Sequence, residues 1–255
     1  MTRDAMTTGG LGVRIASLLG LLVFWAVVAW IADDPQVLPM PQALVGPFWI
    51  ELTSGELLHH LWRTLIRVAW AFALAMVLGI ALGLAMGLKP RLDRWLDAWL
   101  VVFLNLPALV LIVLCYLWIG LNETAAIAAV TLNKVPNVTT IVREGARALD
   151  PNLSAMAQVF AMSRWRRLRH IVLPQLAPYI TAAARSGIAV IWKIVLVVEF
   201  LGRSDGIGFQ IHLYFQLFDV THVLIYALSF IALMLAVEWA LLQPWETRVR
   251  RWRSA

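Results

Sequence analysis

Four ionisable residues sit inside long apolar runs of this sequence: Lys134, Arg185, Lys193 and Glu199. A charge withdrawn from water loses its hydration, so such a residue marks a pathway, a ligand or a compensating partner. Lys134 stands among Asn133, Asn137, Thr139 and Thr140, a segment too polar to face lipid on every side. An ammonium group with amides beside it is chemistry for attracting a small anion, and Lys193 offers a second ammonium. On that reading Asn133, Lys134, Asn137 and Lys193 border a path for an anionic solute. The competing reading pairs each lysine with a buried carbonyl or carboxylate where helices pack. Glu199 follows Lys193 by six residues, about 9 Å along a helix axis, so a direct pair is strained. Arg185 lies near the end of its run, where a long side chain reaches water.

No residue set fits bond-making chemistry. The runs hold no HExxH and no carboxylate cluster, and no GxxxxGK phosphate loop occurs anywhere. His59 and His60 are adjacent, so on a helix they point about 100° apart, read as an interfacial pair and make no metal face. Cys115 is the single cysteine and lies in an apolar run. The sequence therefore predicts no catalytic, cofactor-binding or metal-binding residues, and it argues against a membrane-embedded enzyme.

The elements that carry these residues follow from composition. The chain is 61% hydrophobic and 14% charged, with a mean hydropathy of +0.79. A soluble domain is about half apolar and about a quarter charged, so this is an integral protein of the lipid bilayer. The net charge of +6 does not indicate nucleic acid, because most basic residues cluster in four short segments between or beside apolar runs.

Six spans are expected. A tail of residues 1–10 precedes the first, Leu11 to Ile31, which lacks a convincing cleavage site and reads as a span rather than a signal peptide. Residues 32–60 form a loop ending in an amphipathic piece, FWIELTSGELLHHLW. The second span runs from about His60 to Leu88, with Gly79, Gly83 and Gly87 baring one face for close packing, within the subunit rather than at a dimer seam. The third, Leu96 to Ile119, is kinked at Asn105 and Pro107. The fourth is Ala125 to Val142, the fifth about Tyr179 to Phe200, and the sixth Val223 to Leu242. Residues 11–243 thus form one transmembrane domain, with a basic tail at 244–255. Fifteen basic residues fall on one side of this arrangement and three (Arg63, Arg67, Arg203) on the other, which puts both termini in the cytoplasm. Trp30, Trp62, Trp95, Trp165, Trp245 and Trp252 read as interface anchors at span ends.

That orientation makes residues 143–178 a cytoplasmic loop between the fourth and fifth spans. Asp150-Pro151 is a helix start, with an aspartate cap and a proline in the first turn. Leu153, Met156, Ala157 and Phe160 then share one face at helical spacing. Ser163 caps a second short helix, RWRRLRHIVL, and Pro174 and Pro178 are expected to close the unit. The apolar ridge has two readings: it packs on the chain's own spans, or it docks in a groove of a partner.

The segment resembles the coupling loop of the membrane subunits of bacterial ATP-binding-cassette (ABC) importers. That family's pattern is Glu-Ala-Ala, three residues, Gly, nine residues, Ile, one residue, Leu-Pro. Ile171, Leu173 and Pro174 match its tail, Ala155, Met156 and Ala157 occupy the Glu-Ala-Ala positions, and Ala161 stands where the family has Gly. The Glu and Gly are both absent. The glycine would permit a left-handed turn that alanine adopts at a cost of about 1 kcal/mol. The resemblance extends over roughly Leu38 to Trp252, through LPMPQALV, HLWRTLIRV, GLAMGL, NLPALVLIVLCYLWIGL, KVPNVTTIVREGARALDP and WKIVLVVEFLGRSDGIGFQI. It is similar to the subfamily for nitrate, taurine, aliphatic sulfonates and some vitamin precursors such as pyrimidines. The resemblance implies a type I ABC importer permease fold, all-α with six spans, in the bacterial inner membrane. It implies a homodimeric pore, a cytoplasmic ATPase dimer that hydrolyses the ATP, and an extracytoplasmic substrate-binding protein. It assigns ATPase coupling to the loop and leaves Glu199 to anchor an outer loop. A scaffold without transport is the alternative that the two departures from the motif keep open.

Overall fold

A computed structural model of the chain describes residues 5–238 and 240, and every regular element among them is helical. Helix α1 spans Ala5–Ala32, reaching back into the segment expected to be a tail. It packs chiefly on a 3-10 turn at Pro41–Leu44, and the Trp25 indole donates to the Pro39 carbonyl at 3.1 Å. Helices α2 (Val45–Ser54) and α3 (Glu56–Leu88) meet at Gly55, whose φ of +86° suits only glycine without strain.

The centre of the fold is α3 against α6 (Glu123–Arg147), and the glycine stripe explains it. A Cβ added at Gly79 would lie 2.5 Å from the Val138 Cβ, and one at Gly87 would lie 2.5 Å from the Ala146 Cβ. At Gly83 it would lie 2.6 Å from the Thr139 carbonyl oxygen. The stripe is packed inside this chain. Contacts ascend together along both helices, so α3 and α6 run parallel.

Between them lie α4 (Pro90–Asn105) and α5 (Ala108–Ile119), bent by 100°. The kink expected at Pro107 is thus a full break. Proline supplies no N–H to continue the ladder, and Leu106 before it is extended, with ψ of 123°.

Helix α7 (Pro151–Val159) occupies the loop after α6. Helix α8 (Arg164–Arg167), a π-helical turn (Leu168–Val172) and α9 (Leu173–Gly202) then form one continuous helix of 39 residues. Pro174 and Pro178 therefore do not close the loop unit. Pro174 follows directly on the π turn, where the backbone hydrogen-bond register changes and a missing donor is accommodated.

Residues 201–222, expected as a loop between the fifth and sixth spans, contain α10 (Ile207–Gln216), and α11 (Val220–Val237) completes the described bundle. The end of the sixth predicted span and the basic tail, with Trp245 and Trp252, lie outside the described residues. Trp30, Trp62, Trp95 and Trp165 are all exposed.

Among the described residues the core has two parts, both along α6 and α9. One joins Ala126, Ala129 and Val130 to Trp192, Val195 and Val198, with Ile112, Tyr226 and Phe230 around them. The other joins Val138, Val142 and Ala146 to Leu176, Ala183 and Ala184. Helices α3, α6, α11 and the 39-residue helix are long and apolar enough to cross a membrane, and the bent α4–α5 pair is a fifth candidate. The apolar described part of α1, Ala16–Ala32, is shorter.

Candidate functional site

The loop after α6 is built from caps. Asp150 stays extended and its carboxylate accepts from the Asn152 N–H at 2.7 Å, while its own N–H donates to Gln175 Oε1 at 2.9 Å. At the far end of α7 the Met162 N–H donates to the Ala157 carbonyl and the Ala161 N–H to the Gln158 carbonyl. This is the helix-closing pattern that favours glycine at the left-handed position. Ala161 holds that position with φ of +48°. Ser163 accepts from the Arg166 N–H, as its place before RWRRLRHIVL predicts, and Arg167 donates to the Ser154 hydroxyl at 3.2 Å, pinning α8 to α7.

The predicted ridge divides. Leu153, Met156 and Phe160 are exposed, Phe160 by 72%, whereas Ala157 is buried beneath them. Ala155 and Ala161 are also exposed. Ile171 is buried, Leu173 half-buried and Pro174 exposed, so the motif's tail forms the stem rather than the ridge. Val159, 83% exposed, extends the ridge and was missed, although its place beside Phe160 at the helix end was the available signal. The end of α6 that leads into the loop is tied to α4: Arg143 donates to Asp97 at 2.5 Å and Asp93 at 3.3 Å, and Arg147 also pairs with Asp93.

The predicted pathway residues fall in different environments. Lys134 is buried, Asn133 half-buried and Asn137 exposed, all on α6. Lys193 is exposed on α9, and Arg185 is exposed on the same helix.

At the opposite end from the loop lies a cluster that sequence reasoning did not assemble. Arg67 of α3 holds Glu123 of α6 through two bonds of 2.7 and 2.9 Å, and Glu199 of α9 at 2.6 Å. It also pairs with the Asp205 carboxylate and donates to its carbonyl at 3.0 Å. Arg63 donates to Glu123 and Asp205, each at 2.7 Å, and Arg203 lies 3.3 Å from Glu123. Three guanidinium groups meet three carboxylates. Burial alone would raise the Asp205 carboxyl, but bonds and charge from Arg67 and then Arg63 hold it below the usual carboxylate range.

The cluster fastens the turn before α10. Glu199 accepts from the Gly208 N–H and the Thr64 hydroxyl, each at 2.9 Å, and Thr64 accepts from the Ile207 N–H at 2.9 Å. His60 accepts from the Gly206 N–H at 3.0 Å and is buried, so it is not the interfacial residue expected. Gly206 has φ of +102°, a conformation that leaves glycine as the fitting residue. Arg63 and Arg67, four apart at the entry to an apolar run, were the readable sign of this cluster.

A bundle with several helices long and apolar enough to cross a bilayer defines an all-helical membrane protein. The chain belongs to the family described as binding-protein-dependent transport system inner membrane component, which matches residues 75–242, and is thus an ABC transporter permease. It is 33% identical over 198 residues to the putative aliphatic sulfonates transport permease protein SsuC of Escherichia coli strain K12, covering 75% of this chain and 73% of that one. It is 30% identical over 246 residues to the riboflavin transport system permease protein RibX of Chloroflexus aurantiacus, covering 96% and 91%. Its fold is similar to a chain of the inward-facing MetNI methionine ABC transporter, with a TM-score of 0.64 at 18% identity, covering 79% of this chain and 98% of that one.

Proposed function

We propose that this chain is the translocating subunit of an ATP-driven importer for a small anionic solute of the nitrate, taurine or sulfonate type. Two copies form the pathway in the bacterial inner membrane, with an ATPase dimer on the cytoplasmic side and a substrate-binding protein on the other. ATP hydrolysis belongs to the ATPase. Each copy has six spans within residues 11–243 and both termini in the cytoplasm. The parallel run of α3 and α6 supports the span count, because parallel neighbours need a return crossing between them and α4–α5 supplies one.

The observation that carries the reading is the exposed ridge of Leu153, Met156 and Phe160 on a loop braced by Asp150, Ser163 and Arg167. Exposed large apolar groups on a rigid element mark a partner surface. The residues assigned to coupling are Leu153, Ala155, Met156, Ala157, Phe160, Ala161, Ile171, Leu173 and Pro174. The first six form or support the docking surface, and the last three anchor it to α9.

The test is co-purification of the permease with its ATPase, followed by hydrolysis measured with and without loaded binding protein. A rise in hydrolysis on adding loaded binding protein supports the importer. An ATPase that never associates supports a scaffold instead. A second reading, an organic vitamin or vitamin precursor as cargo, is favoured by the nearly full-length match to a riboflavin transport permease. Ligand binding by the cognate binding protein, compared across ethanesulfonate, nitrate, taurine, pyrimidines and riboflavin, separates the two.

A further inference from the structure

Lys134 is 3% exposed on α6, a helix of span length. Its one polar partner among the described residues is Asn137 Oδ1, one turn on, at 3.2 Å. An ammonium has three donors and no acceptor, so two of them find no acceptor among the described residues, and no described carboxylate lies within ion-pair distance. A lone buried cation is costly by several kcal/mol in a low-dielectric interior.

The fold around it leaves room for the stem of the lysine. A Cβ added at Gly187 on α9 would lie 3.2 Å from the Lys134 Cε and 3.7 Å from the Phe72 ring. Gly187 therefore lets α9 close over the side chain while the head turns toward Asn137. Asn137 is an exposed residue whose Oδ1 accepts from the lysine, so its amide nitrogen keeps two donors of its own. Asn133, half-buried, lies one turn earlier on the same helix. Lys193 stands six residues beyond Gly187, turned by about 120° from the face that Gly187 presents to α6.

We infer that Lys134 and Asn137 form an anion subsite whose ligand is a small singly charged oxyanion, such as a sulfonate. This inference rests on the importer reading and names the residues that select charge within it. Both groups offer donors only, so they match a group that is all acceptor and carries one negative charge. An uncharged solute would leave the ammonium unpaired. A sulfonate satisfies it with three oxygens and neutralises it during passage.

The test uses the complete transporter, with ATPase and binding protein, in proteoliposomes, and radiolabelled ethanesulfonate as the probe. Lys134→Met removes the charge at similar length and is expected to lower uptake at least tenfold. Asn137→Asp keeps the lysine but gives it a permanent counter-ion, and is expected to lower uptake as strongly. Assembly of each variant is verified by co-purification with the ATPase. Uptake by both assembled variants within twofold of wild type overturns the subsite and leaves the importer standing. Wild-type transporter that carries riboflavin but not ethanesulfonate, nitrate or taurine also overturns it. A wild-type chain that never associates with an ATPase removes the importer reading and this inference with it.

Discussion

The Arg67 guanidinium lies 2.6 Å from Glu199 Oε1, and the two side chains are exposed by 2% and 0%. This pair joins α3 to α9 at the end of the bundle opposite the α7 loop. Removing one partner of a buried ion pair leaves a charge with no solvent, at a cost of about 3–5 kcal/mol. Arg67→Met should therefore destabilise the protein by about that amount, because Arg67 is the one cation paired with Glu199 among the described residues. Glu123→Gln should cost under about 1 kcal/mol, since Glu123 is 35% exposed and water screens its loss. Thermal unfolding of both variants in detergent checks the ranking. Equal losses would mean that the cluster acts through packing rather than charge.

Asp205 contributes an acid-range pH response at this end of the molecule. Its carboxyl is held below its ordinary value of 3.8 when folded. A depressed folded value adds stability that is fully present above the unfolded value and is lost as pH falls through the folded one. The stability gap between wild type and Asp205→Asn should stay constant from about pH 7 to pH 5 and shrink below about pH 4. Melting temperatures of the two proteins across that range test the sign. A gap that grows on acidification contradicts it.

Much of this was legible in the sequence, for reasons that differ by residue. The helical membrane class followed from missing charge, and the caps at Asp150 and Ser163 followed from local chemistry between near neighbours. Gly79, Gly83 and Gly87 were readable because a bare helix face has one common use, close packing. What lies far apart in the chain was not readable. Arg67 and Glu199 are 132 residues apart, and nothing local tells either that the other will be its partner. Pro174 and Pro178 misled because proline accommodated inside a long helix, here next to a π turn, reads in sequence like proline that ends one. Lys134 and Lys193 looked equivalent as intramembrane cations, yet the fold buries the first and exposes the second.

Phe160 tests the docking surface without touching the core. It is 72% exposed, so Phe160→Asp should change unfolding stability by less than about 0.5 kcal/mol. A charge in the middle of an apolar contact should nevertheless weaken recovery of the ATPase at least tenfold. Pull-down at matched expression measures this. Full recovery of the ATPase would remove the ridge as the contact.

Ala161 offers the opposite experiment, a gain. Its φ of +48° costs an L-residue about 1–2 kcal/mol relative to glycine. Glycine gives back about 0.5–1 kcal/mol through the greater freedom of the unfolded chain. The balance favours Ala161→Gly by up to about 1.5 kcal/mol, because the closing bonds from Ala161 and Met162 to α7 depend on that turn. Amide exchange across α7 should slow in the variant, while exchange in α3 and α6 should be unchanged. Faster exchange in α7 would mean that the neighbours of Ala161 already support the left-handed turn and that its methyl group contributes to the loop.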